Sequence, residues 1–242
     1  MSEGNASCGG QFLIASPYLT DGFFFRSVVL VVRHETQGAL GVVINRPGTD
    51  RWREVLTTSS ATKPTSPVAE EASENEADSA ERIFVGGPVE GPLLALHDIA
   101  GIGDPCQRND SAEGSSSAAD SSGISATVHD NPAEAFGSLS IHWADAVAWL
   151  TADEDHLRLL ANRADARVKF VINYSGWGPG QLDRELNDGG WLVAPADTES
   201  IFDAGDDIWE RLVKKCGHRI MSDLTGDQAV RDVDGSFDSG LN

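Results

Sequence analysis

One stretch of the sequence places glycines, an indole and two carboxylates close together. It reads YSGWGPGQLDREL over residues 174–186, after a predicted strand and at the start of a predicted helix. Glycine-rich turns at the amino end of a helix expose backbone N–H groups, and such groups bind anions. The stretch therefore suggests a ligand site with these candidate residues: Gly176, Trp177, Gly178, Gly180 and Gln181.

The stretch does not match the known phosphate-binding patterns in detail. A dinucleotide-binding fingerprint needs glycine at the position of Gln181, and the Gly-Lys-Ser/Thr of a phosphate loop occurs nowhere in the chain. Asp183 and Glu185 fall in the first helical turn, where they complement the helix dipole and would repel a phosphate. We therefore favour a structural turn in which the glycines permit unusual backbone angles, with a ligand site as the alternative.

A second set of candidate residues flanks strongly apolar strands. Arg46 follows Asn45 at the end of one strand, where a guanidinium could hold a carboxylate or a phosphate. The alternative is that Asn45 shapes a turn and Arg46 pairs with one of the many acids. His34 follows another strand and is either a general base or a hydrogen-bonded structural histidine. In an enzyme, Arg46 would bind an anionic group while His34 or Asp21 acts as the base.

The sequence offers no motif for a metal, a cofactor or a nucleophile. Its six histidines include no H-E-x-x-H cluster, so we expect no metal site and no cofactor. The three cysteines, Cys8, Cys106 and Cys216, are widely spaced and fit a reducing cytoplasm better than a disulfide framework. The amino terminus lacks the pattern of a signal peptide, and no apolar run approaches the length of a membrane helix. We therefore expect a soluble, cytoplasmic protein.

Net charge argues against some classes of partner. The chain has 18 Lys and Arg residues against 38 Asp and Glu residues, a formal net charge of -20. Affinity for nucleic acids and for anionic membranes comes mainly from Lys and Arg. We therefore expect no direct binding of nucleic acid and no membrane association.

The negative charge is concentrated in three segments that are poor in large apolar residues. They lie near residues 57–82, 103–136 and 223–242 and carry more than half of the excess negative charge. Such a composition cannot bury enough surface to offset the entropy of ordering, so it predicts two disordered insertions and a loose tail. With a disordered amino terminus at 1–9, this leaves about 150 residues within 10–222, the size of one domain.

Hydrophobic patterns within this domain predict both strands and helices. Strands are expected at Gln11–Ala15, Phe24–Arg33, Ala39–Asn45, Ile83–Gly86, Pro92–His97, Arg167–Asn173 and Trp191–Ala194. A helix is expected from a capping box at Thr151 to about Ala164, a short one at Gln181–Asn187, and another from Asp206 or Asp207 to Gly217. Strands gathered early and helices gathered late indicate an α+β fold.

A series of motifs in a fixed order carries a resemblance to a known family. They are GQFLIASP at 10–17, Asp21, Phe25, His34, GALGVVINRP at 38–47, GGPV at 86–89 and GWGPGQL at 176–182 with Glu185. In order and spacing they closely resemble the YqgE/AlgH family of bacterial proteins. The resemblance implies a single α+β domain with a mixed, bent β-sheet surrounded by helices, and it implies no activity. The family's label as a transcriptional regulator comes from a link to alginate production, and this chain shows no basic recognition helix.

These observations favour a non-enzymatic protein that binds an unknown small ligand or protein partner. The binding surface would comprise residues 45–47 (Asn45, Arg46 and Pro47), 86–88 (Gly86, Gly87 and Pro88) and 176–181, and it requires these three segments to converge in space. One alternative is a hydrolase or transferase acting on a small anionic substrate. The other is a direct transcriptional regulator, which the net charge disfavours.

Overall fold

The computed structural model describes residues 7–19, 22–57, 81–100, 102, 138–143, 146–202, 205 and 207–225. Nearly all of the two predicted disordered insertions, most of the acidic tail and the start of the amino terminus lie outside these residues, and so does Asp21. The tail prediction began at residue 223, whereas the last described helix continues to Thr225.

The described residues form ten strands and five helices. The strands are β1 (Gln11–Ala15), β2 (Val28–Glu35), β3 (Gly38–Val43), β4 (Pro47–Arg51), β5 (Arg82–Val85), β6 (Val89–His97), β7 (Ser138–Trp143), β8 (Ala146–Thr151), β9 (Val168–Trp177) and β10 (Trp191–Pro195). The helices are α1 (Trp52–Thr57), α2 (Glu154–Ala161), α3 (Gln181–Asn187), α4 (Thr198–Phe202) and α5 (Ile208–Thr225). None of the described helices is long and apolar enough to cross a membrane.

The strands join one mixed sheet in the order β10-β1-β2-β3-β9-β6-β8-β7, and β4 and β5 pair with each other beside it. All pairs are antiparallel except β5 with β9, which run parallel. The ten-residue strand β9 connects the two parts of the sheet: its first half pairs with β5 and β6, and its end pairs with β3. The predicted α+β class with a mixed sheet is confirmed.

Strand β2 explains how both faces of the sheet are covered. Its first five residues, VVLVV, are all buried, because successive side chains enter different cores. Val28 and Leu30 pack into a core that includes Ile208 of α5, whereas Val29 and Val31 pack into a core with Leu182 of α3. A continuous apolar run is typical of a strand covered on both faces.

Two glycines allow β9 to pass close to the start of β6. A Cβ atom on Gly87 would lie 2.0 Å from the carbonyl carbon of Tyr174, and one on Gly86 would lie 2.5 Å from a methyl group of Val171. Just beside them, Asn173 adopts a left-handed backbone with φ of 68°, and its side-chain oxygen accepts a hydrogen bond from Gly91 N–H at 3.1 Å. Asparagine tolerates this conformation better than most residues.

Two helix ends differ from those expected. The cap of α2 is Asp153, not Thr151, because the Asp153 carboxylate accepts from two backbone N–H groups of the first turn while Thr151 belongs to β8. Helix α5 runs past Gly217, where we expected it to end. A glycine inside a helix costs only about 1 kcal/mol, so it does not by itself stop the helix.

His97 is a fully buried histidine at the end of β6. Its Nδ1 accepts a hydrogen bond from Ile99 N–H at 3.3 Å, and its ring stacks on Trp149 with 6.0 Å between centroids. The Nε2 atom has no hydrogen-bond partner among the described residues. Burial lowers the pKa of His97 to about 4, although nearby Asp98 raises it in part.

This histidine predicts a loss of stability in mild acid. Because the pKa of His97 is about 4 in the folded protein and about 6.5 in the unfolded chain, only the unfolded chain takes up the proton between these values. The free energy of unfolding should therefore fall by up to about 3 kcal/mol between pH 6.5 and pH 4 on account of this residue. Urea unfolding of the wild type and of His97→Asn at several pH values measures the effect. Parallel pH dependences for the two proteins would contradict it.

Candidate functional site

A cavity of about 540 Å³ lies where β9, α3 and β10 meet the chain before β2. We call it the Glu185 cavity. Its lining combines aromatic rings, glycines and two carboxylates: Tyr18, Leu19, Phe24, Pro88, Gly176, Trp177, Gln181, Glu185, Asp188, Gly189, Gly190 and Trp191. None of these residues is a lysine or an arginine.

Glu185 of α3 is the central polar group of this cavity. Its Oε2 accepts hydrogen bonds from the indole N–H groups of Trp177 and Trp191, each at 2.9 Å. Its Oε1 accepts from the side-chain amide of Gln181 at 3.0 Å. One carboxylate therefore holds the end of β9, the start of β10 and the first turn of α3 in a single arrangement.

Three aromatic rings pack together behind the carboxylate. The ring of Phe24 lies parallel to Trp177, with 6.3 Å between centroids, and edge-on to Trp191 at 5.3 Å. The two indoles meet edge to face at 6.2 Å. Tyr18 lines the same cavity but is 91% exposed, so its ring stands at the mouth.

The glycine-rich turn before α3 is internally hydrogen-bonded. Gly180 caps the helix in a left-handed conformation with φ of 64°. The N–H of Gly178 donates to the side-chain oxygen of Gln181 at 3.1 Å, and the N–H of Gln181 donates to the carbonyl of Gly178. These backbone donors are occupied, which favours the structural interpretation of the turn over an anion site.

The cavity brings together two of the three segments named from the sequence. Gly176, Trp177 and Gln181 line it directly. Gly86 and Gly87 do not, but the next residue, Pro88, does. The two glycines are buried where β9 passes, and the carbonyl of Gly86 accepts from Val43 N–H and from the Ser175 hydroxyl.

The third segment, which contains Asn45 and Arg46, does not line the cavity but holds a loop that does. The side chain of Asn45 accepts from Val28 N–H at 2.8 Å and donates to the carbonyl of Arg26 at 3.0 Å. Both bonds fix the loop that enters β2, and Phe24 of that loop lines the cavity.

Arg46 acts on the same loop. Its guanidinium donates to the carbonyl of Phe23, lies 3.4 Å from the carbonyl of Phe25, and sits 4.7 Å above the Phe23 ring. Burial lowers the pKa of Arg46. The guanidinium holds backbone carbonyls, and it does not line the Glu185 cavity.

His34 lies at the other end of β2 from Arg46. Its Nδ1 accepts from Cys8 N–H at 3.3 Å, and its Nε2 lies 3.6 Å from an oxygen of Asp183. His34 is six positions along β2 from Val28, which Asn45 contacts, and this amounts to about 20 Å at about 3.3 Å per residue. The structure therefore does not join His34 and Arg46 in one substrate site, and Asp21 lies outside the described residues.

Cys8, beside His34, is not arranged as a nucleophile. Burial raises the pKa of its thiol, and the carboxylate of Asp183 raises it further. A thiol must ionise to attack, so this environment works against that chemistry. Within the described ranges, no three His, Cys, Asp or Glu side chains are grouped to hold a metal ion.

The hydrogen bonds of Glu185 predict its contribution to stability. Glu185→Gln keeps the shape of the side chain but removes its charge and one acceptor oxygen. If the remaining oxygen accepts from the two indoles, the new NH2 group faces the Gln181 amide, which then loses its acceptor. We expect the free energy of unfolding to fall by about 2 kcal/mol, measured by urea denaturation. The matched control is Glu154→Gln, whose carboxylate is 65% exposed and pairs with Arg158 on the surface of α2. If Glu154→Gln lowered the free energy of unfolding as much as Glu185→Gln does, the prediction would be contradicted.

Comparison with known proteins gives the family. A family model described as AlgH-like (DUF179) matches residues 12–221. A UPF0301 protein of Methylococcus capsulatus is 30% identical over 219 residues, which cover 89% of this chain and 94% of the relative. A UPF0301 protein of Allorhizobium ampelinum is 33% identical over 202 residues, covering 80% of this chain and 78% of the relative.

Solved structures agree with the sequence comparison. The solution structure of AlgH from Pseudomonas aeruginosa superimposes with a TM-score of 0.55 at 25% identity, covering 94% of this chain and 97% of that one. A crystal structure of a Corynebacterium diphtheriae protein has a TM-score of 0.53 at 18% identity over 89% of this chain and 90% of that one, and it shows the shared fold alone. The chain belongs to the AlgH-like family, which its motifs resemble.

Proposed function

We propose that this protein is a non-catalytic module that binds a small ligand in the Glu185 cavity. The observation that carries the proposal is the convergence of two sequence-predicted segments on one cavity with aromatic walls. Small-molecule sites usually have volumes of about 300 to 1,000 Å³, are lined mainly by apolar groups and contain a few polar groups that orient the ligand. The cavity, at about 540 Å³, fits this description.

The hydrogen bonds of the reactive side chains support binding over catalysis. Glu185 is occupied by two indoles and an amide, His34 links the amino-terminal segment to α3, and Arg46 holds the carbonyl groups of a loop. Each of these groups already stabilises the fold, which suits a preformed pocket better than an acid or base that must exchange protons during turnover.

Charge supports an indirect route for any effect on transcription. A chain with a net charge of -20 repels the DNA backbone, and affinity for DNA depends largely on contacts between cations and phosphates. We propose that a regulatory effect, where one exists, follows from the ligand or from a protein partner that responds to it.

Tyr18 gives a clean test of this site because it lines the cavity without supporting the core. Its 91% exposure predicts that Tyr18→Ala changes the free energy of unfolding by no more than about 0.5 kcal/mol. A thermal-shift screen of amines, amino acids, nucleotides and phosphorylated metabolites should give hits on the wild type that weaken in this variant. A compound at 100 times its Kd adds about 2.7 kcal/mol and should raise Tm by about 5 °C.

The matched control is Leu159→Ala on α2, where the side chain is 49% exposed and is not part of the cavity. Hits should keep their full shift in this control. Hits that persist equally in Tyr18→Ala, or a screen without hits, would contradict binding in the Glu185 cavity.

A further inference from the structure

We infer that the ligand of the Glu185 cavity is a small organic cation, an ammonium group attached to an apolar body. This inference rests on the proposed function, because it assigns the chemistry of the ligand to the same cavity. It follows from three features of the lining: its charges, the polarity of the end of α3, and its aromatic rings.

The charged residues of the lining are both acids. Glu185 and Asp188 contribute carboxylates, and the described residues that line the cavity include no lysine or arginine. A carboxylate offers about four acceptor positions, and Glu185 uses three of them for Trp177, Trp191 and Gln181. The carboxylate of Asp188 has no hydrogen-bond or ion-pair partner within the described part of the chain. The lining therefore carries negative charge that its own side chains leave unbalanced.

The end of α3 adds to this negative potential. A helix carries partial negative charge at its carboxyl end, so cations are favoured there. Here the cap residue is Asp188, an acid in the position where an acid is least favoured. The one cation of the last turn, Arg184, points back toward the start of the helix, with a guanidinium nitrogen 3.4 Å from where a Cβ of Gly180 would be. A bound cation would supply the charge that this helix end lacks.

The aromatic lining suits a cation with an apolar body. The faces of aromatic rings carry negative potential and attract ammonium groups within about 6 Å of the ring centre. Tyr18, Phe24 and the two indoles line the same cavity as the carboxylates, and Leu19 and Pro88 add apolar surface. An anionic ligand such as a phosphate would face two carboxylates, and a fully polar cation would leave the apolar surface uncovered.

Isothermal titration calorimetry with three probes of one shape tests this inference. The probes are choline, its neutral carbon isostere 3,3-dimethylbutan-1-ol, and the anion 3,3-dimethylbutyrate. We expect choline to bind the wild-type protein roughly tenfold more tightly than the neutral isostere, and the anion to show no measurable binding. Added salt should weaken choline binding and leave binding of the neutral isostere unchanged.

Asp188→Asn separates charge from shape. It keeps the size of the side chain, and we expect it to weaken choline severalfold while leaving the neutral isostere unaffected. The control is Asp155→Asn, an exposed acid on α2 away from the cavity. Equal or tighter binding of the neutral or anionic probe, or a choline affinity unchanged in Asp188→Asn, would overturn the cation assignment and leave the cavity as a binding site. Absence of binding by all three probes, together with a screen in which Tyr18→Ala has no effect, would overturn both proposals.

Discussion

The arrangement around the cavity depends on the carboxylate of Glu185. Two indole N–H groups that would otherwise be buried without an acceptor donate to one of its oxygens, and an amide donates to the other. Trp177 ends β9 and Trp191 begins β10, so the carboxylate fixes the positions of two strands at opposite ends of α3. A buried donor that loses its acceptor costs about 1 to 3 kcal/mol, so the loss of this carboxylate would destabilise the site at both indoles. The same carboxylate supplies charge to the cavity, so the local structure and the proposed preference for a cationic ligand have one origin.

The rest of the fold positions β9, β10 and α3 around the Glu185 cavity. The central strands are covered on both faces by two hydrophobic cores, and the core that includes Trp177, Leu182 and Trp191 lies beside the cavity. The contact between Gly87 and the backbone of Tyr174 sets where β9 passes β6, and Trp177 follows three residues later. Asn45 and Arg46 hold the loop before β2, and the Phe24 ring of this loop lines the cavity. Asn45, Arg46, Gly86 and Gly87 therefore lie outside the lining and hold neighbouring segments in place. Gly176, Trp177 and Gln181 line the cavity directly.

Sequence reasoning predicted the fold class and the strands β1, β2 and β3, because their apolar runs are long and bounded by clear turns. It did not predict β4, whose partner β5 is distant in sequence. It also missed the β7–β8 hairpin, although these two strands follow each other directly along the chain. It also assigned Glu185 to the helix dipole and missed its two indole partners. A signal was present: Glu185 lies three residues after the buried Leu182, so it falls on the inward face of α3, where an acid needs donors. The donors to Glu185 come from β9 and β10, and local sequence patterns do not show that these strands lie beside α3.

Hydrogen exchange of the tryptophan indoles tests directly whether Glu185 accepts hydrogen bonds from both Trp177 and Trp191. The chain has six tryptophans, so NMR spectra of the wild-type protein should show six indole N–H signals, and single Trp→Phe variants would assign those of Trp177 and Trp191. Because one carboxylate accepts from both indoles, we expect these two protons to exchange slowly and with similar protection. Exchange of either proton at the rate of a free indole, or protection that differs widely between the two, would contradict it.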